Sequence, residues 1–140
     1  MRQRLARRSR AIASLQGLEL FRGCSTRELD ACARLMTPVG IPRERTVCEN
    51  DETGREFFVI SNGEAEVWRG DELISRLGPG EFFGEMALLD GGRRTATVVA
   101  KTDLDVYVSN EREFRSLLDA SPIIVRNLLV AMSQRLRNAT

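Results

Sequence analysis

The sequence predicts a mainly β domain with helices at both ends, and three features indicate it. Residues 37–110 hold about seven or eight short runs rich in β-branched and aromatic residues, separated by closely spaced turn residues. Such spacing is typical of a sandwich, a jelly roll or a barrel. Residues before 37 and after 110 instead repeat their apolar side chains at helical spacing. The expected order is helix, small all-β unit, helix.

Capping patterns place the helix starts. Ser25 with Glu28 and Asn110 with Glu113 both fit the capping box, in which the two residues bond each other's backbone N–H groups. Ser121 is followed by a proline, which suits the first position of a final helix. We therefore expect helices within 15–36 and 111–138.

Turn residues divide the β region into strands. Asn62 followed by Gly63 is the strongest short hairpin signal in the chain, so the strands on either side of it are predicted to pair. A second turn is expected near Thr102 and Asp103.

Composition limits the class of protein. The chain has 140 residues, 42% hydrophobic and 29% charged, which predicts one domain with a packed core. No apolar run approaches the roughly 18–20 residues of a membrane span, and we expect a cytoplasmic protein. Cys24, Cys32 and Cys48 lack C-x-x-C spacing and predict reduced thiols. The absence of histidine excludes Ser-His and Cys-His catalysis and His-rich metal sites, so we expect neither an enzyme nor a metal site.

Positive charge is concentrated at the start of the chain. Five of the first ten residues are arginine, and residues 1–45 hold ten arginines against four acidic residues. We treat residues 1–14 as a basic arm or helix. The arm could contact nucleic acid or an anionic membrane surface, or it could be a solvated helix start.

The stretch EFFGEMALLDGGRRTATVVA, residues 81–100, carries the candidate binding chemistry. Gly84 allows a tight turn, and EMALL then forms about one helical turn whose free N–H groups suit an anion. Arg94 is expected on the following strand, where its guanidinium can pair with the same anion. Glu85 would repel a phosphate but can accept a hydrogen bond from a sugar hydroxyl, so together these residues indicate a phosphorylated sugar. The alternative is a plain ion pair between Glu85 and Arg94. Apolar flanks would wall the pocket: Phe82, Phe83, Leu88, Leu89 and Val98.

The segment FGEMALLDGGRRTATV resembles the phosphate-binding cassette of cyclic-nucleotide-binding domains, which occur in bacterial catabolite activators, kinase regulatory subunits and cyclic-nucleotide-gated channels. The shared pattern is F-G-E, M-A-L-L, a short loop and R-T-A-T-V, and it extends upstream through LGPGEFFGE. The resemblance covers roughly residues 15–137. It implies an eight-stranded antiparallel jelly-roll β-barrel over 37–110, preceded by N-terminal helices and followed by two C-terminal helices, a hinge and a lid. The binding domain would then be residues 15–140.

The resemblance also implies residue roles. Gly84 would allow close backbone approach, and Glu85 would accept the ribose 2′-hydroxyl. The amides of Met86 and Ala87 would face the cyclic phosphate, and Arg94 would pair with an equatorial phosphate oxygen.

The remaining implied contacts lie around the cassette. Thr95 would hydrogen-bond the phosphate, and Val67 on the strand EAEVW would touch the base. Arg135 on the lid helix would lie near the base, with Leu128 and Met132 as apolar cover; alternatively, Arg135 is a solvated cation at a helix end. The predicted ligand-binding residues are Phe83, Gly84, Glu85, Met86, Ala87, Arg94, Thr95, Val67 and Arg135.

The function implied is a regulatory switch for a small cyclic nucleotide. We favour cAMP and keep cGMP open, because Thr95 is compatible with both. The hinge is expected near residues 119–122. The output would lie in an effector domain or partner protein outside this chain, either because the chain is a stand-alone sensor, which its initial methionine favours, or because it belongs to a larger regulated protein.

The alternative is a basic-arm nucleic-acid-binding protein with a degenerate cassette. DNA is not expected as a partner, since the chain lacks a recognition helix and base-stacking aromatics. The oligomeric state stays open.

Overall fold

The computed structural model describes residues 2–139, apart from the side chains of residues 4–9 and 139. Helices lie at both ends of the chain, and one short helix interrupts the strands. The helices are α1 (Arg2–Gln16), a 3-10 turn (Glu19–Phe21), α2 (Thr26–Ala33), α3 (Glu85–Asp90), α4 (Glu111–Ala120) and α5 (Pro122–Ala139). The strands are β1 (Thr37–Ile41), β2 (Thr46–Cys48), β3 (Glu56–Asn62), β4 (Ala65–Arg69), β5 (Glu72–Leu77), β6 (Phe82–Phe83), β7 (Thr97–Ala100) and β8 (Leu104–Asn110).

The eight strands form two four-stranded antiparallel sheets. One sheet has the order β1-β8-β3-β6, and the other has the order β2-β7-β4-β5. The predicted mainly β jelly roll with flanking helices is confirmed. α1 runs through residue 14, and the division of a basic arm from the binding domain at that position stays a prediction.

The hairpin predicted at Asn62 and Gly63 is wrong. β3 pairs with β8 and β6, whereas β4 pairs with β5 and β7, so the turn carries the chain from one sheet to the other. Gly63 has a φ of +91°, and a Cβ there would lie 2.3 Å from the carbonyl oxygen of Asp103. The glycine is therefore required both by its φ and by close packing against the turn between β7 and β8, although no two-stranded hairpin forms here.

Two apolar cores lie on opposite faces of β3. Phe57 and Val59 pack into a cluster with the helices, while Phe58 and Ile60 pack into a second cluster between the sheets. Successive side chains of a strand point to opposite faces, which explains why this strand is apolar at every one of these positions.

Both predicted capping boxes are present. Ser25 Oγ accepts the backbone N–H of Glu28 at 3.1 Å, and Glu28 Oε1 accepts the backbone N–H of Ser25 at 3.0 Å. Asn110 and Glu113 form the same pair of bonds at 2.8 and 3.0 Å. These bonds satisfy N–H groups in the first turns of α2 and α4.

Polar contacts attach the two C-terminal helices to the N-terminal ones. Ser121, fully buried between α4 and α5, donates its hydroxyl to Glu28 Oε2. Asn127 of α5 donates its amide to the carbonyl oxygens of Leu20 and Arg22 at 2.8 and 2.9 Å. The first half of α5 is therefore fixed to the 3-10 turn region.

Within residues 2–139, no single helix is long and apolar enough to cross a membrane. Among the described helices, only α4 and α5 taken together have the length and apolar composition of a span, and they meet at a 110° bend.

Candidate ligand-binding site

The site is built around the start of α3. Gly84 precedes this helix with a φ of +94°, a conformation that L side chains rarely adopt. A Cβ at Gly84 would lie 2.5 Å from the carbonyl oxygen of Glu56 and 2.6 Å from Nη1 of Arg94. Gly84 therefore lets the backbone approach Glu56 and Arg94 closely, and its predicted close approach to a ligand stays a prediction.

Arg94 is buried beside this helix start. Its Nη1 donates to the carbonyl oxygen of Gly84 at 3.2 Å, and its Nη2 donates to the carbonyl oxygen of Glu56 at 2.9 Å. Only 9% of the residue is exposed. The expectation that it lies on a strand is wrong, because β7 begins three residues later, at Thr97. Backbone bonds to the loop between β2 and β3 hold this position instead.

Glu85 is the first residue of α3 and is 4% exposed. Its Oε1 accepts from Nη1 of Arg135 at 3.0 Å. Burial raises the pKa of the carboxyl, while the charge of Arg135, a backbone N–H and the charge of Arg94 oppose that rise. The alternative ion pair between Glu85 and Arg94 is not formed; the carboxylate pairs with the last helix.

Arg135 joins α5 to the cassette through three contacts. Besides its bond to Glu85, it donates from Nη2 to the carbonyl oxygen of Phe82, and its guanidinium carbon lies 4.4 Å from the centre of the Phe82 ring. Leu128 is buried, and Met132 packs against the same apolar cluster as Phe82. The predicted lid arginine thus reaches the cassette rather than ending as a solvated cation.

The other predicted ligand-binding residues occupy different environments. Phe83 is buried and stacks on a core phenylalanine with ring centres 4.7 Å apart. Ala87 is buried, whereas Met86 is 47% exposed. Thr95 is exposed and Val67 is half-buried on β4, where it packs against the core between the sheets. No hydrogen bond joins Thr95 or Val67 to Glu85 or Arg94 in the described part of the chain.

Sequence reasoning missed the loop between β2 and β3, residues 49–55. Gly54 in this loop lies against the Arg94 guanidinium and Ala87. No periodicity marks this loop, and only contacts between distant segments show its role.

The cysteines and acidic side chains of the described residues were candidates for a metal site. Cys24, Cys32 and Cys48 are free thiols, and burial raises the pKa of Cys32 to about 12 and that of Cys48 to about 11. Among the described residues, no group of three or more His, Cys, Asp or Glu side chains could hold a metal ion.

The family model of the cyclic nucleotide-binding domain matches residues 38–121, from β1 to the end of α4. The chain belongs to the cyclic-nucleotide-binding domain family. This match spans the cassette and both sheets.

Individual relatives agree with this assignment. The "Cyclic AMP receptor protein" of Thermus thermophilus is 29% identical over 130 residues, covering 89% of this chain and 60% of the receptor. The human "Cyclic nucleotide-gated channel beta-3" is 30% identical over 133 residues, covering 87% of this chain and 16% of the channel. The chain therefore spans less than two thirds of either relative.

A solved structure supports the fold. The regulatory domain of Toxoplasma gondii PKA, crystallised with cAMP, superposes with a TM-score of 0.78 at 20% identity, covering 93% of this chain and 51% of that one.

Proposed function

We propose that this chain is a non-enzymatic regulatory domain that binds a cyclic nucleotide, with cAMP favoured over cGMP, in the cassette formed by α3 and Arg94. The observation that carries the proposal is the buried guanidinium of Arg94 at the start of α3. Its two described hydrogen bonds go to uncharged carbonyl oxygens, so its positive charge is available to an anion.

The cyclic phosphate would be held from two sides. The N–H groups of Met86 and Ala87 lie in the first turn of α3, where backbone N–H groups have no acceptor within the helix and carry a partial positive charge. Arg94 would supply a charge-assisted pair in a site with little water, which strengthens the interaction. Thr95 would add a hydroxyl from the segment leading to β7.

The ribose would bind at Glu85. An ionised carboxylate has two oxygens and about four acceptor positions, so it can accept from Arg135 and from a ribose hydroxyl at the same time. The lid helix and the sugar would therefore share one acceptor. Because the two share this acceptor, the position of α5 would depend on whether the ligand is bound.

Ligand binding would stabilise the docked position of α5. A ligand shifts a conformational equilibrium only by its difference in affinity for the two states, and contacts that pass through Glu85 to Arg135 exist only while α5 is docked. The hinge would be the α4–α5 junction around Ser121. An effector domain or partner protein would read the movement.

The preference for cAMP is supported by the name of the Thermus thermophilus relative and by the cAMP-bound kinase regulatory domain with the same fold. Val67 would form the apolar edge of the base site. Because Thr95 is compatible with either nucleotide, cGMP is the second ligand to be measured.

The test is isothermal titration of the purified protein with cAMP and with cGMP. We expect Arg94→Ala to weaken cAMP binding by about 30-fold or more, because the loss of one partner from a buried charge pair costs about 2–5 kcal/mol. Arg94→Lys should retain only part of the affinity, since lysine keeps the charge but loses the fork.

Arg93→Ala is the matched control. Arg93 is the exposed neighbour of Arg94 and carries the same charge. Equal losses in the two alanine variants, or no heat from either nucleotide with folded wild-type protein, would contradict the proposal.

A further inference from the structure

The loop between β2 and β3 forms a wall around Arg94. The backbone N–H of Arg94 donates to the carbonyl oxygen of Glu52 at 2.8 Å, and the N–H of Asp51 donates back to the carbonyl oxygen of Arg94 at 2.9 Å. Thr53 and Arg93 form an isolated antiparallel bridge in the same place. Residues about 40 positions away in sequence therefore fix the backbone from which the guanidinium extends.

Gly54 brings this loop against the guanidinium itself. A Cβ at Gly54 would lie 2.5 Å from Nε and 2.7 Å from Cζ of Arg94, and 2.7 Å from Cβ of Ala87. Real Cβ atoms essentially never approach other heavy atoms this closely. Any side chain here must therefore displace Arg94, α3 or the loop.

Backbone conformation does not explain the glycine. The φ of Gly54 lies outside the left-handed region, unlike that of Gly84, so an alanine could adopt its backbone angles. What the position requires is space. The space is occupied by the guanidinium of Arg94 and the methyl group of Ala87.

The guanidinium has little freedom to give way. On its other side it donates to the carbonyl oxygens of Gly84 and Glu56, and a Cβ at Gly84 would also clash with its Nη1. Gly54 and Gly84 thus hold the plane of Arg94 between them. Movement of the guanidinium away from Gly54 would break or bend these hydrogen bonds and rotate the guanidinium plane.

We propose that Gly54 is a positioning residue for the ligand site: its missing side chain sets the direction in which Arg94 presents its guanidinium to the phosphate. The inference rests on the proposed function, because it concerns how Arg94 meets a cyclic phosphate. It adds the β2–β3 loop to a site otherwise built from α3 and the segment before β7.

Gly78 is the matched control for substitution. A Cβ at Gly78 would meet nothing within 4 Å, and its φ also lies outside the left-handed region. Gly54→Ala and Gly78→Ala therefore make the same chemical change at two positions whose φ lies outside the left-handed region. They differ in whether the new methyl group meets Arg94.

The experiment measures affinity for cAMP and for its two phosphorothioate diastereomers, in which sulfur replaces one or the other exocyclic oxygen. We expect Gly54→Ala to weaken cAMP binding about tenfold or more, because a charge-assisted bidentate pair depends on its geometry. The ratio of affinities for the two diastereomers should also fall, since a misdirected fork distinguishes the two oxygens less well. Gly78→Ala should change the affinity and the ratio less than about twofold.

The ratio of affinities for the two diastereomers separates positioning from general destabilisation, because general destabilisation would weaken the binding of both diastereomers equally. If wild-type protein binds cAMP and Arg94→Ala abolishes binding while Gly54→Ala leaves affinity and ratio unchanged, the inference is overturned and the proposed function stands. If folded wild-type protein binds no cyclic nucleotide, both fail. Should Gly54→Ala not fold, Gly54→Ala with Ala87→Gly removes the clash with Ala87 and keeps the one with Arg94. We expect the same loss from that double variant, and wild-type affinity and ratio there would overturn the inference.

Discussion

Replacing Arg135 by alanine should release the second half of α5 without unfolding the barrel. The side chain makes an ion pair with Glu85 at 3.0 Å, a bond to the carbonyl oxygen of Phe82, and a contact with the Phe82 ring. Arg135 is 37% exposed, so solvent screens the ion pair and its share is at most about 1 kcal/mol. The ring contact contributes about 0.5–1 kcal/mol and the carbonyl bond about 0.5–1.5 kcal/mol.

These contributions are not additive, and together they give about 1–3 kcal/mol. We expect this energy to appear in local opening, because α5 is held to the 3-10 turn region separately through Asn127. Amide hydrogen exchange around residues 131–138 should then accelerate on the order of 5- to 150-fold in Arg135→Ala, since about 1.4 kcal/mol corresponds to a factor of ten.

The assay is hydrogen exchange read by mass spectrometry, with Arg126→Ala as the control. Arg126 lies on the same helix and is exposed. The control should exchange like the wild-type protein around residues 131–138. Equal exchange there in Arg135→Ala and wild-type protein would refute the reasoning, because the three contacts would then contribute nothing to the docking of α5. Acceleration across the whole chain would also refute it.

Two further predictions concern pH. Burial raises the pKa of Glu85 above 4.5, so the contribution of Glu85 to stability falls as the pH rises from 4.5 through the folded pKa. In denaturant titrations over this pH range, the unfolding free energy of Glu85→Gln relative to wild type should therefore increase with pH. A decrease would contradict the raised pKa. Ser121→Ala removes the hydroxyl bond that is the main cause of the lowered pKa of Glu28, and it should reduce stability at neutral pH, with the deficit narrowing as the pH falls through the folded pKa. A deficit independent of pH in acid titrations would show that the Ser121 bond does not act through the charge of Glu28.

The features that the sequence predicts well are local. Each capping box needs only two residues three apart, so Ser25 with Glu28 and Asn110 with Glu113 could be read directly. The turn into α3 follows in the same way from Gly84 and the helix-forming segment after it. The alternation of strands and turns likewise predicts about seven or eight strands, because each strand is defined by its own side chains.

The features that the sequence does not predict depend on contacts between distant segments. Asn62 and Gly63 have the composition of a hairpin turn, but the strands on either side of them lie in different sheets, and Gly63 packs against the distant Asp103. In the sequence, Gly54 resembles any glycine before a strand, and only the structure shows that Arg94 packs against it. A local pattern cannot distinguish a glycine needed for its φ from one needed for the space that its missing side chain leaves.

The partners of the two arginines explain why we expect Arg94 to bind the ligand and Arg135 to attach α5 to the cassette. Arg135 is paired with a carboxylate, so its charge is largely neutralised where it meets the cassette. Arg94 donates to two carbonyl oxygens, and no carboxylate lies within ion-pair distance of it in the described part of the chain. A buried cation whose partners are all uncharged is costly, and an anion reduces that cost most. The same cost explains why glycines and loop backbone hold Arg94 in place, whereas Arg135 can extend from the α5 helix that we propose to move.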